Sequence, residues 1–257
     1  MSEATSHAPG IPSWADLGTP DADAAKKFYG AIFGWEGFTI PEAGGYTMMS
    51  LRGKSVAGIS PPMPGAPPRP PAWMTYVTSA DADATTRKVT SGGGTVLVEP
   101  MQVMTAGRMA VFMDPSGAAF SIWQPGDHIG AELVNEPGAL CWNELQTRDI
   151  EGSKRFYGAV FGWGAETHAG PMPYTEWKQD GRSIGGMAPM DAMGVPKEVP
   201  PHWLAYFGAA DCDATTEKAA QLGGRVIVPP MDIQDGLRFS VVADPQGAVF
   251  GVLRTAG

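Results

Sequence analysis

The sequence predicts an α+β protein made of two homologous domains in tandem. Three observations carry the prediction: an internal duplication, a strand, helix and several strands repeated within each copy, and 34 Gly and 24 Pro spread as punctuation between short apolar segments. A length of 257 residues suits two small domains, each able to bury a core.

The duplication is explicit. Residues 14–35 read WADLGTPDADAAKKFYGAIFGW, residues 142–163 read WNELQTRDIEGSKRFYGAVFGW, and 12 of the 22 positions are identical at an offset of 128. A second match pairs WMTYVTSADADATTRKVTSGGG from Trp73 with WLAYFGAADCDATTEKAAQLGG from Trp203, and continues through MDPSGAAFSIW and VADPQGAVFGVL at an offset of 130. Domain one is placed at 11–128 and domain two at 139–257, joined by the polar segment GDHIGAELVNEPG.

Within domain one the first strand is SWADLGT. Asp21 and Asp23 suit the start of the next helix, where carboxylates meet unpaired N–H groups and the positive end of the dipole. In that helix, ADAAKKFYGAIFG, apolar Ala24, Phe28, Ile32 and Phe33 recur at helical spacing, Lys26 and Lys27 face outward, and Gly34 is the stop. Domain two repeats this with Phe156, Val160 and Phe161. Tyr29 and Tyr157, beside these phenylalanines, are expected to pack with a hydrogen-bonded hydroxyl. Strands YTMMSL, KSVAGIS and WMTYVTS follow, then the helix ADATTRKVTS ending at Gly92, and strands TVLVEPMQV, RMAVFMD and AAFSIWQ. DPSG and DPQG, around Asp114 and Asp244, place Pro and Gly as tight turns require. Two Pro-rich connections, 61–71 and 187–201, break the pattern and leave Met63, Met190 and Met193 to contact something apolar.

Composition excludes several classes of function. Lys and Arg number 18 and Asp and Glu 27, a net charge of −9 that opposes a phosphate-tracking surface or an anionic-membrane patch, so neither nucleic acid nor membrane is an expected partner. The first residues lack a basic start and an apolar run, and no 18 consecutive apolar residues occur, so a cytoplasmic location is expected. Cys141 and Cys212 cannot make a disulfide framework or a four-thiolate zinc site and read as small buried residues. There is no GxGxxG after a strand, no P-loop, no GxSxG and no HExxH, and GGG at 92–94 ends a helix, which removes nucleotide and serine-hydrolase readings.

Four βαβββ units in two tandem halves, with FYGAxFGW after the first strand and DPxGxxF before the last, resemble the vicinal oxygen chelate superfamily of glyoxalases, bleomycin-resistance proteins and extradiol dioxygenases. The resemblance implies that each pair of βαβββ units curls a mixed sheet around a cleft. It also implies positions for metal ligands. The family's first-strand His falls on Trp14 and Trp142, its fifth-strand His on Trp73 and Trp203, its fourth-strand acid on Gly58 and Gly186, and its eighth-strand Glu on Ser121 and Gly251. None is an ordinary metal ligand, and the four histidines, His7, His128, His168 and His202, are scattered, so no metal and no other cofactor is expected.

If the four tryptophans face the clefts, period-2 alternation adds Asp16 and Gly18 to Trp14, Glu144 and Gln146 to Trp142, Thr75 and Val77 to Trp73, Ala205 and Phe207 to Trp203, and Trp123 and Leu253 to the last strands. Expected ligand contacts are Trp14, Trp73, Ser121, Trp123, Trp142, Gln146, Glu176, Lys178, Trp203 and Phe207. Asp16 and Glu144 occupy equivalent positions among indoles, where desolvation raises a carboxyl pKa as a general acid or base requires; a purely structural role as acceptors of Trp N–H or backbone bonds competes with that reading. Glu176, Lys178 and His202 replace Met48, Ser50 and Ala72, making domain two the more polar. Arg108 and Arg238 are matched and read as solvated ion pairs or anion contacts.

Three functions follow. The first is a metal-independent binder, monomer or homodimer, that holds one small apolar or aromatic molecule, such as an antibiotic, natural product or toxic metabolite, in a resistance or detoxification role. The second is a metal-free hydroxylase, isomerase or lyase using Glu144 or Asp16. The third, which the tryptophans oppose, is a metal-dependent glyoxalase-type lyase or dioxygenase.

Overall fold

A computed structural model describes residues 3–62, 69–170, 173–233 and 236–254. Met63 of the first Pro-rich connection lies outside them. The first half runs β1 (Pro12–Gly18), α1 (Ala22–Phe33), β2 (Glu36–Ile40), β3 (Tyr46–Leu51), β4 (Lys54–Ser60), β5 (Ala72–Thr78), α2 (Ala82–Ser91), β6 (Thr95–Val103), β7 (Gly107–Met113) and β8 (Ala119–Pro125). The second repeats it as β9 (Leu140–Thr147), α3 (Ile150–Phe161), β10 (Gly164–His168), β11 (Tyr174–Gln179), β12 (Arg182–Pro189), β13 (His202–Gly208), α4 (Cys212–Gln221), β14 (Arg225–Asp232), β15 (Arg238–Ala243) and β16 (Val249–Arg254). Each half builds one mixed, unclosed eight-stranded sheet, ordered β2-β3-β4-β1-β5-β8-β7-β6 and β10-β11-β12-β9-β13-β16-β15-β14. The α+β class of two tandem glyoxalase-like domains is what the structure shows.

Local chemistry sets the helix ends as expected. The Asp21 side chain accepts from the Ala24 N–H at 2.9 Å, and Gly34 closes α1 at φ 75°, a left-handed conformation that a β-carbon disfavours. Asp149 and Gly162 do the same for α3. Strands β2 and β10 escape the sequence pattern because both lie exposed along their length, so neither alternates in polarity.

The two sheets pack back to back, and the core lies between them. Strand β1 sends Ala15 and Leu17 inward, with Ala25, Phe28, Tyr29 and Phe33 of α1, onto Phe207 of β13 and Phe250 and Val252 of β16 in the other half. Reciprocally, Phe156, Tyr157 and Val160 of α3 pack on Phe112, Phe120 and Ile122. The two FYGA tyrosines lock this arrangement. Tyr29 donates to Asp244 at 3.0 Å and Tyr157 to Asp114 at 2.8 Å, each reaching the DPxG aspartate of the opposite half. Trp73 donates its indole N–H to Tyr29 and Trp203 to Tyr157, at 3.0 and 2.9 Å. Trp35 and Trp163 donate across to the carbonyls of Gly138 and Gly10.

Tyr157→Phe strips a buried Asp114 oxygen of its donor and the Trp203 indole of its acceptor. Such orphaned groups cost about 1–3 kcal/mol each, so the variant, which leaves two, is expected to lose about 2–6 kcal/mol of stability in urea unfolding, and Tyr29→Phe to match it. A loss within the noise of the wild type would mean that the lock adds nothing.

Candidate functional site

Residues that point away from the core share the outer face of each sheet, the face on which the resemblance to the superfamily places a cleft. In the first, cross-strand register puts Phe38, Met48, Gly58, Asp16 and Met74 in one row across β2, β3, β4, β1 and β5. A second row joins Val111, Ser121, Tyr76 and Trp14, and a third Met101, Met109 and Trp123. Trp14, Tyr76 and Trp123 form the buried floor, with Met48, Met74 and Met109 half-buried around it. In the second cleft the rows are Glu166, Glu176, Gly186, Glu144 and Leu204; Val241, Gly251, Tyr206 and Trp142; and Met231, Phe239 and Leu253.

Trp73, Trp203 and Phe207 are not in the clefts. They sit in the inter-domain core, as do Val77 and Ala205, while buried Thr75 donates to Asn143 of the other half at 2.9 Å. The cause is register: Trp14 lies opposite Tyr76 and Asp16 opposite Met74, whereas Trp73 lies opposite the core residue Leu17. The cleft side of β5 therefore carries Met74 and Tyr76, and the parity counted from Trp73 is one residue out. Trp14, Asp16, Ser121, Trp123, Trp142, Glu144, Glu176 and Leu253 do share cleft rows, and Lys178 lies with Glu176.

The centre of each cleft is a carboxylate roofed by tyrosines. Tyr76 donates to Asp16 at 2.9 Å, Tyr46 also bonds it, and the Trp14 N–H donates to Tyr46 at 3.0 Å. In the second cleft Glu144 accepts from Tyr174 at 3.0 Å, Tyr206 at 3.3 Å and Gln146 at 3.0 Å, while Trp142 donates to Tyr174 at 2.8 Å. Burial pushes the Asp16 carboxyl up from 3.8 to about 6, against the pull of the Tyr76 and Tyr46 hydroxyls, and raises Glu144 in the same way. All four tyrosines are held well above 10, first by burial and then by the carboxylate beside them. The signal for these tyrosines was present in the sequence: 174 − 46 is 128 and 206 − 76 is 130, the offsets of the duplication.

Glycine makes the roof feasible. A β-carbon at Gly58 would run into the Tyr46 hydroxyl, one at Gly186 into that of Tyr174, and one at Gly251 into the Tyr206 ring. At Gly58, Gly186 and Gly251, three of the positions to which the resemblance assigns acidic ligands, phenol groups from neighbouring strands fill the space instead. With no imidazole at the centre and phenols held protonated, this donor set does not fit a Zn²⁺, Mn²⁺, Ni²⁺ or Fe²⁺ ion. Among the described residues one cluster offers three convergent donors, Glu166, His168 and Glu176, at the rim of the second cleft. Lys178 lies among them, 3.2 Å from Glu166 and 2.6 Å from Glu176. The Lys178 and Ser183 hydrogen bonds hold the Glu176 carboxyl below the usual range.

His128 enters unannounced. The linker crosses one end of the first cleft through bonds from the backbone of His128 to Ala106, Ala131 to Ser13 and Glu132 to Ser55. The imidazole meets Trp14 edge-on at 4.7 Å between centroids, and burial lowers its pKa. No spacing rule could place a linker residue there. Arg108 and Arg238 make surface ion pairs, Arg108 with Asp83 and Arg238 with Asp213 and Asp232. Met190 is buried, and Arg148 pins the connection that follows it through the carbonyls of Val195, Pro196 and Val199.

The chain belongs to the glyoxalase/bleomycin resistance protein/dioxygenase superfamily, whose sequence profile matches residues 11–122 and 130–252. It is 44% identical over 265 residues to CFP32 of Mycobacterium tuberculosis, covering 100% of this chain and 99% of that one. It is 40% identical over 264 residues to the anthracycline biosynthesis protein DnrV of Streptomyces peucetius, covering 97% and 94%. Among solved structures, the Mn(II)-bound glyoxalase from Novosphingobium aromaticivorans superposes with a TM-score of 0.68 at 15% identity, covering 96% of this chain and 82% of that one, a likeness of fold.

Asp16 gives a signed prediction. Its proton is held more tightly in the folded chain than in the unfolded one, so its contribution to stability is complete below pH 3.8 and is lost as the pH rises through about 6. Relative to Asp16→Asn, the wild type is expected to lose on the order of 2–3 kcal/mol between pH 4 and pH 8, measured as urea midpoints along the series. A pH-independent difference would place the carboxyl in water.

Proposed function

We propose that the protein is a metal-independent binder of a small, flat, apolar or aromatic molecule, held in the first cleft between Trp14, Tyr76, Trp123 and the methionines Met48, Met74 and Met109. A resistance or detoxification role toward an antibiotic, natural product or toxic metabolite accords with such a cleft. The observation that carries the reading is the tyrosine roof over Asp16 and Glu144, which occupies the centre of each cleft with groups suited to packing and hydrogen bonding and unsuited to holding a metal. Aromatic and thioether walls suit a planar apolar partner, because both offer polarisable surface and thioethers adapt in shape. The relatives named for anthracycline biosynthesis favour a polycyclic aromatic compound as that partner.

A second reading draws on the raised carboxyls. A group titrating at about 6, as Asp16 does, can donate or accept a proton near neutral pH, and Glu144 shares its environment. On this reading the protein transforms its ligand by acid–base chemistry.

The deciding experiment measures metal content and ligand binding on the same preparation. After growth with zinc, nickel, iron and manganese supplied, the purified chain is expected to carry almost no metal, and neutral 1-naphthalenemethanol is expected to quench its tryptophan fluorescence. Met48→Glu, which puts a charge on the apolar wall, should weaken that binding roughly tenfold or more. One tightly held metal per chain that survives in His168→Ala would overturn the reading. For a ligand that is turned over, Glu144→Gln and Asp16→Asn should bind as the wild type does; loss of turnover in either supports the acid–base reading.

A further inference from the structure

The duplication supplies an internal control, because positions on one outer face have counterparts at the same register on the other. On β1 and β5, Gly18 stands opposite Ala72; the counterparts on β9 and β13 are Gln146 opposite His202. A pair with no polar side chain in one half is thus a pair of polar side chains in the other. Solvation does not account for the exchange, since Gln146 is only 8% exposed. Gln146 lies on the same face of β9 as Glu144 and Trp142, because Leu145 between them is a core residue, and His202 lies on the same face of β13 as Leu204, opposite Glu144.

The His202 ring has a defined tautomer. Its Nδ1 lies 3.0 Å from the Pro200 carbonyl, and a carbonyl can only accept, so Nδ1 carries the hydrogen of the neutral ring and Nε2 carries the lone pair. Nε2 has no hydrogen-bond partner among the described residues and reaches solvent. Burial lowers the imidazole pKa, which keeps that lone pair free at neutral pH. Across the strand pair, Gln146 gives one of its two amide hydrogens to Glu144 at 3.0 Å. Residues directly opposite stand about 4.5–5.5 Å apart at their β-carbons and diagonal ones about 7–8 Å, so His202, Gln146 and Glu144 lie within reach of one small molecule. Half-buried Trp142, next along the same face and joined to Glu144 through Tyr174, adds a planar apolar surface.

We propose that the outer face of the second sheet carries a general base, His202 Nε2, which takes a proton from an aromatic carbon acid such as an aryl ketone. The inference rests on the acid–base reading above and gives it a base that neither Asp16 nor Glu144 supplies. The C–H bond breaks, its electron pair moves onto the carbonyl oxygen as an enolate, and the proton passes to Nε2. The second Gln146 amide hydrogen is there for the enolate oxygen, and return of the proton to another carbon completes an isomerisation that needs no oxidant or reductant. The first face has Ala72 and Gly18 at these places and lacks this chemistry.

The test uses the full chain and 5-nitrobenzisoxazole, a planar carbon acid whose ring proton, once taken by a base, drives cleavage of the N–O bond and releases coloured 2-cyano-4-nitrophenolate. Turnover is expected to exceed that of free imidazole at equal concentration by about a hundredfold. His202→Gln, whose amide can still donate to the Pro200 carbonyl, should lower kcat about tenfold or more while KM and the thermal midpoint hold, and His202→Phe should match it. Turnover that both variants leave intact would overturn the inference; if Glu144→Gln or Asp16→Asn abolishes it instead, the acid–base reading stands with a carboxyl as its base. Turnover no faster than free imidazole would also overturn the inference, and 1-naphthalenemethanol binding that Met48→Glu weakens would then leave the first cleft's reading standing.

Discussion

The two tyrosine–aspartate hydrogen bonds between the halves fix everything outside them. Tyr29 and Tyr157 reach Asp244 and Asp114 from the middle of buried aromatic stacks, and Trp73 and Trp203 hold the same hydroxyls from the other side. Such bonds tolerate little displacement, because a buried donor or acceptor left unmade costs about 1–3 kcal/mol, more than the net ~1 kcal/mol that the bond contributes when made. Once the sheet backs are joined, the alternation of each strand has no freedom left. Leu17 and Trp73 must go inward, and Trp14, Asp16, Met74 and Tyr76 must face out.

That constraint explains why the clefts contain what they do. An outward carboxylate at Asp16 or Glu144 needs partners in a place mostly shut off from water. Tyrosines from neighbouring strands supply them, and they reach the carboxylate only because Gly58 and Gly186 leave the sheet bare beneath their hydroxyls. Glycine on one strand and a phenol on the next together leave a single titratable carboxyl among protonated tyrosine hydroxyls.

Much of this was legible in the sequence, and the parts that were not share a cause. The duplication, the four helices with their aspartate caps, the packing of Tyr29 and Tyr157, and the placement of Asp16 and Glu144 all follow from local spacing. The faces of Trp73 and Trp203 do not. Their side is set by antiparallel pairing of β5 with β1 and of β13 with β9, a long-range register that a strand-initial tryptophan does not announce. His128 is harder still, since its ring reaches the first cleft only through the linker's backbone bonds to Ala106, with Ala131 and Glu132 tying the same linker to Ser13 and Ser55. The roof tyrosines lie between these cases: their repeat offsets were visible, but their meaning needed the glycines opposite them.

The divergence of the two clefts is confined to where it costs least. Edge strands β2 and β10 carry exposed side chains, so substitutions there barely touch the core, while the floors keep the same Trp, Tyr and carboxylate pattern. Charges on an exposed edge are the ordinary protection against pairing with another chain, and Glu166 with its Lys178 partner conforms to that rule on β10. Phe38 violates it. At 71% exposure on an unpaired edge, in register with Met48, it leaves apolar surface in water where the homologous half has a carboxylate. An exposed aromatic at a sheet edge invites aggregation, so its retention in one half and replacement in the other points to a use for it. A planar ligand in the first cleft, reaching from Trp14 to the rim, would supply that use by covering Phe38 when bound.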